Sequence, residues 1–335
     1  MTSKDLIQQY VDTGISIPEY QFNQLNNNLR TTYLRKRLMV GKLYDYELLM
    51  SPDDIRTKYI NNLDSNGIHS LLNNSKEPDR IINILLSTEG FINKLDSKRI
   101  NYLLYNSNGP EKIMNILGDK GIEYINKLDS YGINNLLYNS KEPDRIINIL
   151  LSTEGFINKL DSSIINNLLR YSKEPDKIID TLLSSEEFIN KLNSNGIYYL
   201  LNNSKEPEKI MNILGDKGIE FINNLDSKRI HSLLNNSKEP DRIIDILLSS
   251  NEFINKLDAY GINNLLSSSK QSSKEKDKII DILLSSNEFI NKLDLDKIRT
   301  LLHYSKEKDK FKELIGNYKQ RIQLNESKLK LSNLI

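Results

Sequence analysis

The sequence predicts an all-α protein: an α-solenoid of about eight helical repeats, each 32–33 residues long, with capping ends. Three observations predict it. The phrase Leu-Asp-Ser, or a near relative, recurs at Leu63, Leu95, Leu128, Leu160, Leu192, Leu225, Leu257 and Leu293, at spacings of 32 to 36 residues. Within each unit the apolar residues fall at helical rather than alternating intervals. Six of the eight prolines, Pro78, Pro110, Pro143, Pro175, Pro207 and Pro240, sit at one place in the repeat. A lone unit has too little apolar surface to offset the backbone entropy it loses, so neighbours must share their apolar faces.

The chain divides into an N-terminal cap over 1–62, an array over 63–310 and a C-terminal capping segment over 311–335. The cap carries a basic run from Arg30 to Lys42, a candidate anion-binding patch. Its stretch from Ser51 to Ile55 resembles a degenerate second helix of the repeat, and Tyr59 to Leu63 leads into the first full unit.

Counting from the leading Leu as position 1, Ile at 6 and Leu at 9 and 10 predict helix A over about positions 3 to 12. Asp64-Ser65 and its copies supply the N-cap oxygens. Helix B starts at Ser-Lys-Glu-Pro-Asp, as in Ser75 to Asp79, because a proline is tolerated in a first helical turn and not in an interior one. Glu77 and Asp79 suit the positive end of the helix dipole. In the last two units Lys276 and Lys308 replace the proline, which predicts less sharply started helices.

A short helix C is expected over about positions 26 to 32, capped by serines such as Ser184 and Ser185 or opened by Gly118-Asp119; one longer, bent helix B is the alternative. The length changes at Gly118 to Gly121, at Gly215 to Gly218 and around Ser269 to Ser273 should lie in loops. Beyond the array, Leu314, Ile315, Tyr318, Ile322, Leu329 and Leu331 could cover the final apolar face.

Composition excludes much chemistry. There is no Cys, so no disulfide scaffold, thiolate metal site or Cys nucleophile. The three histidines are too few for most metal or general-base schemes, and His69 and His231 share repeat position 7. No phosphate-binding loop, dinucleotide fingerprint or His-Glu-x-x-His occurs. Acidic residues recur once per unit at cap positions, whereas a catalytic dyad occurs once. The expectation is a non-enzyme with no cofactor, no metal and no small-molecule substrate. Short apolar runs and an N-terminus without an apolar core point to no membrane span and an intracellular, cytoplasmic or nuclear location. A net charge of +1 argues against a general polyanion binder.

The most variable positions, 4, 7, 8 and 11, form the arc of helix A opposite its apolar face. The candidate partner-binding residues lie there: Asn66, His69, Lys98, Asn101, Tyr102, Tyr105, Tyr131, Asn134, Tyr138, Asn166, Arg170, Tyr198, Tyr199, Lys228, His231, Tyr260, Asn263 and Arg299. Of the 32 such positions one is acidic, where 45 acidic residues in 335 would place about four, and seven of the 17 tyrosines are here. Such a stripe suits a protein partner, through aromatic anchors, or RNA, through stacking and amide contacts; a solvated, drifting face is the bland alternative. Asn66-Gly67, Lys98-Arg99 and Tyr131-Gly132 recur as Asn195-Gly196, Lys228-Arg229 and Tyr260-Gly261, which indicates copying of a four-unit block.

Two further rows repeat. Asn93, Asn126, Asn158, Asn190, Asn223, Asn255 and Asn291 read as side chains bridging backbone groups between units. Arg80, Lys112, Arg145, Lys177, Lys209, Arg242, Lys278 and Lys310 form a basic row at the start of helix B. Ion pairs with neighbouring Glu and Asp, rather than phosphate contacts, are the favoured role there.

In length and in its order of helix, short loop and helix, the unit resembles TALE-type DNA-binding repeats. The resemblance places base-reading residues at the loop, here Asn74-Ser75, Asn106-Ser107, Asn139-Ser140 and Tyr171-Ser172. The sequence departs from that family after the serine, where Lys-Glu in most units stands in place of a glycine pair. A unit of helix A, helix B and short helix C also resembles mTERF-type nucleic-acid-binding repeats and, over about 63–310, generic α-solenoids such as HEAT arrays. The composition and the opening from Ile17-Pro-Glu-Tyr20 to Tyr33-Leu-Arg-Lys-Arg37 are similar to tandem-repeat proteins of large DNA viruses, a likeness that transfers no functional residue. The expected function is a non-catalytic scaffold that binds a protein through the helix A stripe. Binding of single-stranded RNA or DNA by the same face is the alternative.

Overall fold

The computed structural model describes residues 3–40, 43–268 and 273–306, together with Phe311 and Gly316. It is an all-α repeat protein, with no strand among the described residues. The chain forms two compact units, one of residues 1–159 with 171–173, the other of residues 160–170 with 174–335. In each, successive repeats stack like helix on like helix. In the first, helix A at Ser65–Asn73 packs on helix A at Ser97–Asn106, which packs on Ser130–Asn139. In the second, Ser194–Asn203, Ser227–Asn236, Ala259–Ser268 and Leu295–Tyr304 follow one another in the same way.

Helix A begins where a carboxylate or amide can cap it. Asp64, Asp96, Asp129 and Asp226 accept from the backbone N–H three residues on, at 2.7–2.8 Å, and Asn193 does so at 2.9 Å. Its Ile and paired Leu side chains, for example Ile133, Leu136 and Leu137, are fully buried. Helix B begins with proline as its first residue, at Pro78, Pro110, Pro143, Pro175, Pro207 and Pro240. The missing proline has a visible effect. Where Lys276 takes its place the helix runs Ser273–Ser285, starting three residues earlier, because no ring excludes the preceding residues from helical geometry. Lys308 and the insertion at 269–272 lie outside the described residues, as does nearly all of the capping segment 311–335, although Phe311 itself is buried.

Among the described residues a separate third element follows helix B in each repeat, so the longer bent helix is not what forms there. Its length depends on the residues that open it. Ser185, Ser250 and Ser286 cap α-helices at Glu186–Lys191, Asn251–Lys256 and Asn287–Asn291 by accepting from a Phe N–H. Gly118 and Gly215, at φ near +50°, break the chain and launch helices at Asp119–Lys127 and Asp216–Asn223. Thr-Glu-Gly, with Gly90 and Gly155 also at positive φ, leaves room for only a 3-10 turn at Ile92–Lys94 and Ile157–Lys159.

The N-terminal cap differs from the sequence reading in one respect. The helix that opens near Ser51, at Asp53–Asn61, stands in the place of helix C, and the shorter helix Asp45–Leu49 takes the place of helix B against Pro78–Ser87. Asn61 gives the register, since it donates to Glu89 O as Asn126 in the next C position but one donates to Glu154 O. Ahead of these, helix Ser3–Thr13 packs on Asn27–Val40. The basic run is largely committed to holding this cap together. Arg37, 2% exposed, donates to Gly14 O and Ser16 Oγ and faces Glu47, which is 0% exposed and also accepts from Tyr33 Oη and the Tyr44 N–H. Burial pushes the Glu47 carboxyl up from its ordinary value, against the pull of Tyr33, the Tyr44 N–H and Arg37. Arg30 binds the carbonyls of Asn23 and Leu25, and Arg35 pairs with Asp54.

Candidate functional site

The variable face of helix A resolves into three rows of different exposure. Position 4 is outermost: Asn66, Lys98, Tyr131, Asn195, Lys228 and Tyr260 are all exposed. Positions 7 and 8 lie in the seam between neighbouring A helices, so His69, Asn101, Tyr102, Asn134, Asn166, Tyr198, Tyr199 and Asn263 are half-buried, while His231 and Arg299 are exposed. Position 11 is exposed except at Tyr105 and Asn202. Tyr138 is 73% exposed and Arg170 is exposed, but Tyr105 is buried. Tyr105 therefore belongs to the seam, and its phenol is pushed up to about 12, chiefly by burial.

The seam is hydrogen-bonded repeat to repeat. In the first unit the Tyr105 hydroxyl lies 3.0 Å from His69 Nδ1 and the Tyr171 hydroxyl donates to Asn134 Oδ1 at 2.9 Å, while within a single repeat Tyr124 of helix C donates to Asn101 Oδ1 of helix A at 3.2 Å. In the second, Tyr304 donates to Asn263 Oδ1, the Tyr198 hydroxyl meets Ser232 Oγ at 2.6 Å, and His231 Nδ1 lies 3.2 Å from Asn264 Oδ1. Position 7 amides thus have a stacking role that the sequence reading, which saw only surface variability, did not assign. What stays outward is the position 4 row with Tyr138, Arg170, His231 and Arg299. Its aromatic members are well exposed: Tyr131 at 74%, Tyr138 at 73% and Tyr260 at 49%.

Between helices Ser194–Asn203 and Ser227–Asn236 the seam opens into a groove of about 490 Å³ walled by Tyr198, Tyr199, Phe221 and Lys228. The rings of Tyr198 and Tyr199 meet edge to face with centroids 5.5 Å apart.

The other rows serve stacking. The Asn row bridges repeats, through a backbone carbonyl at Asn126 and through side chains at Asn223 and Asn255. These last two donate to Glu252 and Glu288 while accepting from Ser250 and Ser286. Where the next repeat carries Gly-Asp-Lys-Gly, its lysine does this work: Lys120 donates to the carbonyls of Ile92 and Asn93, and Lys217 to those of Ile189 and Asn190. Within the basic row Arg80 pairs with Glu77, Arg145 with Glu111, Lys177 with Glu174, Lys209 with Asp180 and Arg242 with Glu208. Lys310 lies outside the described residues.

One stacking device was not foreseen. The aspartate after the proline reaches the next repeat: Asp79, Asp144, Asp176 and Asp277 each accept from the loop serine 28 residues on and from the N–H that follows it, at 3.0–3.2 Å. Asp45 of the cap accepts from the Lys76 N–H in the same manner. Of the loop serines at which a TALE-like reading places base contacts, Ser107 and Ser172 are hydrogen-bonded between repeats in this way, while Ser75 and Ser140 accept from the N–H of Glu77 and Glu142 in their own loops.

Among the described residues no group of three or more His, Asp or Glu is placed to hold a metal ion, and no helix is long and apolar enough to cross a membrane. Compared with known protein families, curated proteins and solved structures, the chain matches none.

Proposed function

We propose that the protein is a non-catalytic scaffold that binds a protein partner through the outward row of helix A. The observation that carries this reading is the acid-poor set of exposed position 4 and 11 side chains that each unit presents, Tyr131 and Tyr138 in the first and Tyr260 in the second among them. Exposed tyrosines supply large contact area at small entropic cost and find a hydrogen-bond partner when covered, which is why interfaces are rich in them. The helices that present them are fixed by caps and buried Ile–Leu faces, so little ordering remains for binding to cost.

The alternative is single-stranded RNA or DNA, favoured by the interleaved Lys98 and Lys228. The two readings respond oppositely to salt: phosphate contacts weaken steeply as salt rises, whereas an aromatic-anchored protein interface changes little. The test is capture of partners with and without nuclease, using the wild-type chain and a Tyr131→Ala, Tyr138→Ala, Tyr260→Ala variant. The expected result is nuclease-resistant capture that the triple variant reduces at least about tenfold with helicity unchanged. Capture abolished by nuclease, or unaffected by the three substitutions, refutes the reading.

A further inference from the structure

The groove between helices Ser194–Asn203 and Ser227–Asn236 differs from its duplicate in the first unit, and the difference indicates an occupant. The duplicate junction lies between Ser65–Asn73 and Ser97–Asn106, with Asn66-Gly67 and Lys98-Arg99 matching Asn195-Gly196 and Lys228-Arg229. There the chain fills the seam from within. Tyr102 stands where the other junction has Ser232, its ring centroid 4.6 Å from His69 and 5.6 Å from Tyr105, with Lys98 Nζ 5.9 Å above it. Arg99 is folded back onto the carbonyls of Lys94 and Leu63 and onto the Asp96 carboxylate.

In the second unit Ser232 has no ring to offer, and the Tyr198 hydroxyl bonds it instead. The space of about 490 Å³ stays open beside Tyr199 and the buried Phe221. Lys228 and Arg229 line it, and neither side-chain cation has a hydrogen-bond or ion-pair partner among the described residues. The one carboxylate at the groove, Asp226, caps the helix through the Arg229 N–H, so two cations face a single anion.

We propose that this groove is an anchor pocket for an aromatic side chain carried on an acidic linear segment of a protein partner. The proposal rests on the scaffold reading and names the chemistry of what that scaffold takes. The ring of Tyr102 is the internal stand-in for the guest: an aromatic side chain between facing helices, beside one tyrosine and under a lysine. A packed aromatic anchor in a desolvated pocket carries a large share of interface energy. Lys228 and Arg229 supply the complementary charge for flanking carboxylates, which sets orientation and speeds encounter.

The test is fluorescence anisotropy of the full chain with two labelled peptides, EDFED and EDAED, and with oligothymidylate as competitor. The phenylalanine peptide should bind at least about tenfold more tightly than the alanine one. Ser232→Tyr, which rebuilds the filled junction, should erase that preference while leaving helicity and Tm in place. Should that variant not fold, Tyr199→Ala removes a wall and should reduce the preference in the same direction. Lys228→Glu with Arg229→Glu should weaken both peptides together. Equal or undetectable binding of the two peptides overturns the proposal, as does a preference that survives Ser232→Tyr. Displacement by oligothymidylate that itself depends on Ser232 assigns the groove to nucleic acid and overturns it too. Partner capture lost in the Tyr131, Tyr138, Tyr260 variant but intact in Ser232→Tyr removes the groove and leaves the scaffold; nuclease-sensitive capture removes the scaffold itself.

Discussion

Asp176 illustrates how one residue type holds two jobs. It sits in the first turn of helix B, where its charge suits the helix dipole, and its Oδ1 accepts from Ser204 Oγ and the Lys205 N–H of the following repeat, both at 3.0 Å. Only the first job was legible from the sequence. The second depends on a residue 28 positions away, and nothing local announces which loop N–H a carboxylate will face once repeats are in register. Asp176→Ala should therefore cost more than a surface cap. It strands a nearly buried serine hydroxyl and a backbone donor, a loss of roughly 1–3 kcal/mol, to be read by chemical denaturation beside Asp176→Asn, which keeps one acceptor. A cost within a few tenths of a kcal/mol would mean that the loop is held by other contacts. The same limit applies to the seam: His69, Asn101 and Tyr105 read as variable surface because their partners lie 23 to 36 residues away in a neighbouring helix.

At the scale of elements, helices A and B and their starts were readable because the signals are local: a capping oxygen, a proline, an Ile–Leu–Leu spacing. The cap was harder. Asp53–Asn61 carries the proline of a helix B at Pro52 and the ending of a helix C at Tyr59-Ile60-Asn61, and packing decided for the latter. Helix C varies with its opening residues, and Gly118 shows why. Its φ of +51° and ψ of −129° lie in a region that L side chains rarely enter, while an added Cβ would meet nothing within 4 Å. Gly118→Ala should then carry an almost pure backbone penalty, on the order of 1–3 kcal/mol, with no compensating relief from repacking. A Tm equal to that of the wild type would contradict it. Gly121→Ala poses a different problem, since its Cβ would approach Met114 Cε to 2.7 Å, and the flexible methionine can move aside.

At the scale of the molecule, fold class was the most legible property, because every unit restates it. The stripe was legible as a surface and not as a set of contacts, since about half of its side chains are drawn into the seam between neighbouring helices. Repeat arrays have stabilities set by each unit and its immediate neighbours. Leu200, wholly buried in helix Ser194–Asn203, tests this. Leu200→Ala should cost about 2–5 kcal/mol and lower amide protection in its own helix and in Ser227–Asn236, leaving Ser65–Asn73 protected as before. Protection lost evenly along the chain in hydrogen-exchange measurements would show instead that the protein opens all at once.

The glycine-bounded lysine that replaces the asparagine bridge has a consequence for ancestry. Gly118-Asp-Lys-Gly121 reappears three repeats later at Gly215 to Gly218, yet the outward residues Asn66, Lys98 and Tyr131 reappear four repeats later at Asn195, Lys228 and Tyr260. The fasteners and the display row thus recur at different intervals along one chain. A lineage built this way can reshuffle what it shows to the outside while inheriting its joinery intact.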